Sequence, residues 1–167
     1  MGNTGPRTGS QSGTATVEAA LVTTLLLLVF LGVVEFGNAI SVDHTITSLS
    51  REGANIAARG STLSEAIQTV SDDGVSIKLS SRGGVIGTRL VVTGGVPMIA
   101  EQAASTGYAT VSRIGAVGDP VPSLATLGLQ EGQQIHVVEI FYDYQRMTPL
   151  GKLITAIPGT LYTRAVF

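Results

Sequence analysis

One feature of the sequence limits most strongly what the chain can fold into: a glutamate at the start of an apolar run long enough to span a membrane. Thr14-Ala15-Thr16-Val17-Glu18 precedes the uncharged stretch 19–34, and a further uncharged stretch, 36–42, follows Glu35. As a single helix, residues 19–42 would reach about 36 Å, enough to span a hydrocarbon core of about 30 Å. An unpaired carboxylate buried in hydrocarbon costs about 3 kcal/mol or more, so we expect Glu18 to have a partner outside this polypeptide. The pattern favours an assembling subunit over an enzyme.

Composition limits the remaining possibilities. The 167 residues allow one domain of about 100–120 residues beside a membrane segment. Only 13% of residues are charged, and the net charge of -2 supplies no basic field for nucleic acid. The absence of cysteine excludes disulfide scaffolds, CxxC redox sites and thiolate metal sites.

These features divide the chain into a leader at 1–13, a transmembrane helix at 14–42 and an exported domain at 43–167. Arg7 precedes the apolar run and acidic residues follow it, which favours a cytoplasmic amino terminus. Beyond the membrane an apolar stripe continues at helical spacing, so we predict one helix of about 45 residues that stops near Gly60. The stripe consists of Val42, Ile46, Leu49, Gly53, Ile56 and Ala57.

A cleavable secretory signal is the rival interpretation of the apolar run. Gly37-Asn38-Ala39 offers small residues at which a signal peptidase could cut, leaving Ile40 as the new amino terminus. Two carboxylates argue against it. Glu18 occupies the place where such signals carry positive charge, and Glu35 would fall just before the cleavage region.

The rest of the chain predicts an α+β fold, with the long helix packed on a small antiparallel sheet. Ser61–Glu65 has the spacing of a capping box for a second helix, which should end near Asp72–Gly74. Gly83–Gly87 resembles a hairpin loop, Gly94–Gly132 is interpreted as loops with one strand at Tyr108–Ile114, and Pro149–Ile157 as a short helix. Alternating apolar and polar residues predict further strands at Val75–Leu79 and Leu161–Phe167, and β-branched or aromatic residues predict strands at Arg89–Val92 and Ile135–Tyr144.

Three helix segments, Gly13–Val22, Leu31–Gly37 and Ser50–Ala54, resemble the TadE-like family, minor pilins or pseudopilins of the tight-adherence (Tad) branch of type IV pili. The end of the chain, from Tyr142 through Thr148-Pro149-Leu150 to Val166, is similar to the closing segment of that family. The likeness covers roughly 13–60 and 135–167. Ala19 and Ala20 depart from it, since a bulky residue is common after the glutamate, and the cysteine pair of some relatives is missing.

The resemblance implies a pilin-like fold and a life history. A prepilin peptidase would cut after Gly13 and make Thr14 the first residue of the mature chain. Glu18 would then meet the new amino terminus, in its own or a neighbouring subunit, and the two opposite charges would remove a burial cost. The alternative for Glu18 is a hydrated residue at the lipid boundary. Glu35 would be either an interfacial residue at the helix exit or a contact to a partner helix in assembly.

No catalytic chemistry emerges from the sequence. His44 and His136 are the two histidines, and no histidine or carboxylate cluster has metal-ligand spacing. We therefore expect no enzyme activity, cofactor, metal or small-molecule substrate. The expected function is a structural subunit of a Tad-type pilus that supports adhesion, located in the bacterial inner membrane and, after assembly, in an extracellular filament. Its expected partners are the membrane, other pilin subunits, the prepilin peptidase and the assembly platform. A membrane-anchored periplasmic binding or accessory domain that does not polymerise is the alternative.

Overall fold

A 50-residue helix, α1, opens the fold and runs from Gly9 to Ala58. The computed structural model describes residues 9–152 and 156–167, with the side chains of 13–149, 151 and 156–167. The helix begins before Thr14, where the sequence pattern had placed its start. Gly60 follows the helix with a φ of 101°, the left-handed conformation that glycine adopts readily, and this confirms the predicted stop.

The chain divides into two compact units. The first unit contains the chain up to Asn38 together with the segment Arg146–Ile157. The second unit contains Ala39–Gln145 and Pro158–Phe167, and it includes the whole β-sheet. The remote segment Arg146–Ile157 therefore belongs with the apolar part of α1.

In the second unit, α1 buries the predicted apolar stripe. Ile46 is fully buried, and Val42 and Leu49 are each 9% exposed, which confirms the periodicity seen in the sequence, although Ile56 is only half-buried. At Gly53, α1 lies very close to the side chains of Val70 and Val138. A Cβ built at Gly53 would lie 2.6 Å from Val70 Cγ2 and 3.4 Å from Val138 Cγ1. A larger residue at this position would push the helix away from its neighbours.

The second helix, α2, runs from Leu63 to Asp73 and has the predicted capping box. The Thr62 hydroxyl accepts a hydrogen bond from the Glu65 amide at 3.2 Å, and the Thr62 amide donates to Glu65 Oε2 at 2.9 Å. These two bonds give acceptors to amides that have no partner within the helix, and they lower the pKa of the Glu65 carboxyl. The predicted end near Asp72–Gly74 is also confirmed.

Four antiparallel strands form one sheet in the order β2-β1-β3-β4. Strands β3 and β4 confirm the two strands predicted near the carboxyl end, and β1 contains the predicted strand Arg89–Val92. The sheet face opposite α1 is covered by an apolar cluster that includes Leu90, Ile99 and Leu124. The strand bounds are β1 Gly83–Thr93, β2 Val96–Ala104, β3 Gln134–Asp143 and β4 Thr160–Val166.

The strand predicted at Val75–Leu79 is wrong. The structure has a 3₁₀ turn at Gly74–Ile77 and a short helix, α3, at Leu79–Arg82. Lys78 joins them with a φ of 58°, which turns the chain out of an extended path. Val75 is 69% exposed whereas Leu79 is buried, so the alternating apolar residues do not share one face.

Gly83–Gly87 is also not a loop; it forms the buried first half of β1. The glycines permit close neighbours there. A Cβ at Gly83 would lie 2.5 Å from the Phe141 carbonyl oxygen, and one at Gly84 would lie 2.9 Å from the Tyr108 ring. The glycine-rich composition reflects tight packing of this strand rather than a turn.

Within Gly94–Gly132, the predicted strand at Tyr108–Ile114 is wrong and β2 was missed. The structure has no regular element over 108–114, and the Arg113 amide there bonds the side chain of Glu139. Strand β2 follows a two-residue turn in which Gly94 and Gly95 both have positive φ, 61° and 76°. A Gly-Gly pair between β-rich runs is a hairpin signal, so the sequence did contain the information.

The short helix predicted at Pro149–Ile157 is replaced by a 3₁₀ turn at Pro149–Lys152. Residues 153–155 lie outside the described part of the chain. The proline does stand at the start of the helical turn, where its missing N–H costs nothing.

Candidate assembly helix and the Glu35 turn

The apolar part of α1 is an exposed surface of unusual size. Its large side chains from Val17 to Val34, apart from the half-buried Leu31, are 38–68% exposed. The most apolar 18-residue window has a mean hydropathy of 2.5, so the helix is long and apolar enough to cross a membrane. An exposed apolar surface of this extent marks a site that lipid or other helices cover.

The predicted processing residues and Glu18 lie at the start of this surface. Gly13, Thr14 and Glu18 are all exposed, and a Cβ at Gly13 would meet no atom within 4 Å. Thr14 and Glu18 are four residues apart, so they lie on the same face of the helix. Cleavage after Gly13 and the assembly role of Glu18 remain predictions.

Glu35 is fully buried, in contrast to Glu18. Its carboxylate accepts hydrogen bonds from the Met147 amide at 3.2 Å, from the Thr148 amide at 2.8 Å and from the Thr148 hydroxyl at 2.8 Å. All of these groups belong to the first compact unit. The structure therefore places Glu35 against a turn of its own chain, and its predicted role in assembly remains a prediction.

The segment Arg146–Gly151, here called the Glu35 turn, is shaped around this carboxylate. The Thr148 hydroxyl donates to Glu35 and also accepts from the Gly151 amide at 3.2 Å, the bond that an N-cap residue makes to its third helical residue. A Cβ at Gly151 would lie 2.8 Å from Glu35 Cδ. At the edge of the turn, Arg146 Nη2 donates to the Ile157 carbonyl oxygen at 3.2 Å.

The sequence analysis did not identify Thr148 and Gly151 as partners of Glu35. A Thr-Pro pair followed by glycine indicates a capped turn, but nothing in one sequence shows which acceptor the turn receives from 113 residues away. The structure supplies that pairing.

Glu139 on β3 is a second fully buried carboxylate that the sequence analysis missed. It accepts hydrogen bonds from the Ser112 hydroxyl, from the Arg113 amide at 3.0 Å and from the Tyr162 hydroxyl at 2.8 Å. Burial and the bond to Glu139 raise the pKa of Tyr162 well above its usual value. Arg113 stacks over the Tyr162 ring, with Cζ 4.1 Å from the ring centre. This cluster fastens residues 112–113 to the sheet.

His136 lines a cleft of about 320 Å³ in the second unit together with Arg89 and Glu101. Arg89 Nη2 and Glu101 Oε2 form an ion pair at 2.8 Å. Burial lowers the pKa of His136, the nearby Arg89 lowers it further, and Glu101 partly opposes the shift. Over residues 9–152 and 156–167, no group of three or more His, Cys, Asp or Glu side chains is arranged to hold a metal ion.

A comparison with protein-family models finds a match within α1. Residues 13–55 match the family model of TadE-like proteins. The match confirms the resemblance that the motifs around Glu18, Glu35 and Arg51 carry, and it associates the chain with the Tad pilus. It covers 43 of the 167 residues and ends inside α1, so the sheet and the Glu35 turn lie outside it.

No curated protein and no solved structure gives a significant match to the chain.

Proposed function

We propose that this chain is a structural subunit of a Tad-type pilus, anchored in the bacterial inner membrane by α1 and assembled through the same helix to support adhesion. The observation that carries the proposal is the exposed apolar surface from Val17 to Val34 with the exposed carboxylate of Glu18 at its beginning. The TadE-like match covers this same segment. The proposal assigns the chain no catalytic role, no cofactor and no nucleic-acid partner.

The two carboxylates of the helix have different roles in this proposal. Glu35 accepts hydrogen bonds from Met147 and Thr148 of its own chain. Glu18 is exposed on the same face as Thr14, which would carry the free amino terminus after cleavage following Gly13. Helices that pack in a filament would bury that carboxylate, and an ammonium beside it would offset the burial cost. Glu18 is therefore the residue on which assembly depends.

A membrane-anchored accessory domain that never polymerises is the alternative, and Glu18→Ala separates the two. The substitution removes a costly charge from the membrane boundary, so insertion should be unharmed. In a filament it would leave an ammonium unpaired among apolar helices, which costs about 3–5 kcal/mol in each subunit. Membrane levels of Glu18→Ala should equal wild type while its entry into sheared extracellular fibres, or its support of them, collapses.

The matched control is Glu52→Ala, which removes the same charge from an exposed position on the same helix. It should leave both membrane level and fibre yield unchanged. Quantitative blotting of the membrane and sheared-fibre fractions measures both variants. Normal fibre yield from Glu18→Ala cells would reduce Glu18 to a boundary residue and favour the accessory-domain alternative.

A further inference from the structure

We propose that the Glu35 turn is a membrane-interface element: it enters the outer edge of the bilayer beside α1 and brings Met147 into contact with lipid. The inference rests on the membrane insertion of α1 that the proposed function includes. It extends that function to a segment more than 100 residues away in sequence, which the family match does not cover.

The first argument is the distance between the two carboxylates of the helix. Glu18 and Glu35 are 17 positions apart in the sequence, which corresponds to about 26 Å along a helix. The hydrocarbon core is about 30 Å thick, and an average helix tilt of about 20° shortens the projected distance further. The backbone positions of the two glutamates therefore cannot both lie outside an undeformed hydrocarbon core on opposite sides of the bilayer. At least one of the two residues has its backbone at hydrocarbon depth.

The second argument identifies which carboxylate is equipped for that depth. Glu18 is exposed at the amino-terminal end of the apolar run, whereas Glu35 is fully buried and surrounded by two amides and a hydroxyl. A polar group in hydrocarbon must be satisfied by protein, because lipid offers it no hydrogen bonds. Shielding of the helix also begins before Glu35, since Leu31 and Gly32 are already half-buried while residues 13–30 are exposed.

The third argument is the surface of the turn itself. Met147 lies at the level of Glu35, because its amide is 3.2 Å from Glu35 Oε1, yet its side chain is 66% exposed. On the helix, Val33 and Phe36 flank Glu35 and are 66% and 43% exposed. All three are exposed apolar side chains of residues close to Glu35, two of them on α1 and one on the turn. Arg146, also exposed, places a cation beside them, as at other lipid headgroup boundaries.

Continuity with the membrane helix favours lipid as the occupant of this surface over another protein. Val33 and Phe36 follow directly in sequence on the exposed apolar residues that the proposed function places in the hydrocarbon core, and the Met147 amide bonds Glu35, which stands between them in sequence. A flexible apolar methionine beside an arginine suits the transition from acyl chains to headgroups.

Because the chain has no cysteine, single cysteines can report depth without background. The full chain is reconstituted at one copy per nanodisc of phosphatidylethanolamine and phosphatidylglycerol, and Met147→Cys is labelled with an environment-sensitive nitrobenzoxadiazole dye. Its emission should shift to the blue and be quenched more by lipids spin-labelled near the headgroup than by lipids spin-labelled at the chain end. Leu25→Cys should be quenched more by the deep spin label, and Val111→Cys, which is 83% exposed in the second unit, provides the aqueous reference.

The outcomes separate this inference from the proposed function. If Leu25→Cys is quenched by lipid and Met147→Cys behaves like Val111→Cys, the turn stays in water and this inference alone is overturned. A blue-shifted Met147→Cys label that neither spin-labelled lipid quenches would point to a protein contact and would also overturn it. If Leu25→Cys escapes quenching, α1 does not insert, and both proposals fail.

A second substitution tests whether Glu35 positions the turn. Thr148→Val in the Met147→Cys background removes the hydroxyl donor to Glu35 and should reduce quenching by the headgroup-level label. Thr148→Ser keeps the hydroxyl and should restore it. Unchanged quenching in Thr148→Val would show that the contact with Glu35 does not hold the turn at the interface, and it would overturn that part of the proposal.

Discussion

At the scale of single residues, Glu35 and Glu139 are the two acidic side chains that are fully buried in the described parts of the chain. Each carboxylate accepts hydrogen bonds from a remote segment: Glu35 from 147–148 and Glu139 from 112–113 and Tyr162. A buried charge is tolerated only when donors replace its water shell. Both glutamates therefore fix the position of a segment that has little regular structure of its own.

Tyr162→Phe tests this role for Glu139. The substitution removes one hydroxyl donor to a buried carboxylate and keeps the ring that packs 5.0 Å from Phe141. We expect a loss of about 1.5–3 kcal/mol in the free energy of unfolding, the range for hydrogen bonds to charged groups. Thermal unfolding of the full chain in detergent, followed by circular dichroism, measures it.

The matched control is Tyr108→Phe. The Tyr108 hydroxyl bonds the exposed carboxylate of Asp143, a contact that also raises the pKa of Tyr108. Because water can replace that bond, the control should change the stability by less than about 0.5 kcal/mol. Equal effects of the two substitutions would mean that burial of Glu139 does not strengthen its contacts.

The same residues show the limit of sequence analysis for the candidate site. Glu18, Glu35 and the Gly13-Thr14 junction are apparent from the sequence because each interrupts or borders an apolar run. Their partners are not, since Thr148 is as ordinary a loop residue as any other threonine until the fold brings it to 2.8 Å from Glu35. A contact across 113 residues has no local periodicity from which to predict it.

At the scale of elements, local patterns determined which predictions succeeded. The helix stripe, the capping box and strands β3 and β4 follow from periodicity and turn chemistry within about a dozen residues. The failures occurred where packing overrides the local pattern. Val75–Leu79 alternates like a strand but turns at Lys78, and Gly83–Gly87 looks like a loop but must be glycine-rich to lie against Phe141 and Tyr108.

Leu49→Asp tests the element-level prediction that the amphipathic half of α1 is held by the sheet domain. Leu49 is 9% exposed, so the aspartate would lose about 1.5–3 kcal/mol of apolar burial and add the cost of a buried charge. We expect the second unit to unfold or to melt at a much lower temperature when the full chain is studied in detergent. Ser48→Asp adds the same charge at the exposed neighbouring position and should melt like wild type. If Leu49→Asp melts like wild type as well, burial of the apolar stripe does not stabilise the second unit.

At the scale of the whole molecule, the two alternatives for the apolar run predict different mature chains. A cut before Ile40 would remove Glu18 and Glu35 together. The Met147 and Thr148 amides and the Thr148 hydroxyl would then lose the acceptor they share and the helix segment that forms one compact unit with their turn. A cut after Gly13 keeps the helix, both carboxylates and the Glu35 turn. The contacts of Glu35 therefore exist only in a chain that keeps the apolar helix.

Intact-mass spectrometry of the protein from its native host decides between these chains. We expect a mature chain that begins at Thr14, because cleavage there exposes an ammonium one helical turn before Glu18 and leaves every described contact of Glu35 in place. The membrane and sheared-fibre fractions should contain the same mass. A chain that begins at Ile40 would make the protein an ordinary secreted domain, and a chain that keeps Met1 in the fibre fraction would contradict processing while leaving assembly intact. Glu35→Ala should not move the cleavage site, since the junction at Gly13 lies 22 residues earlier in the helix.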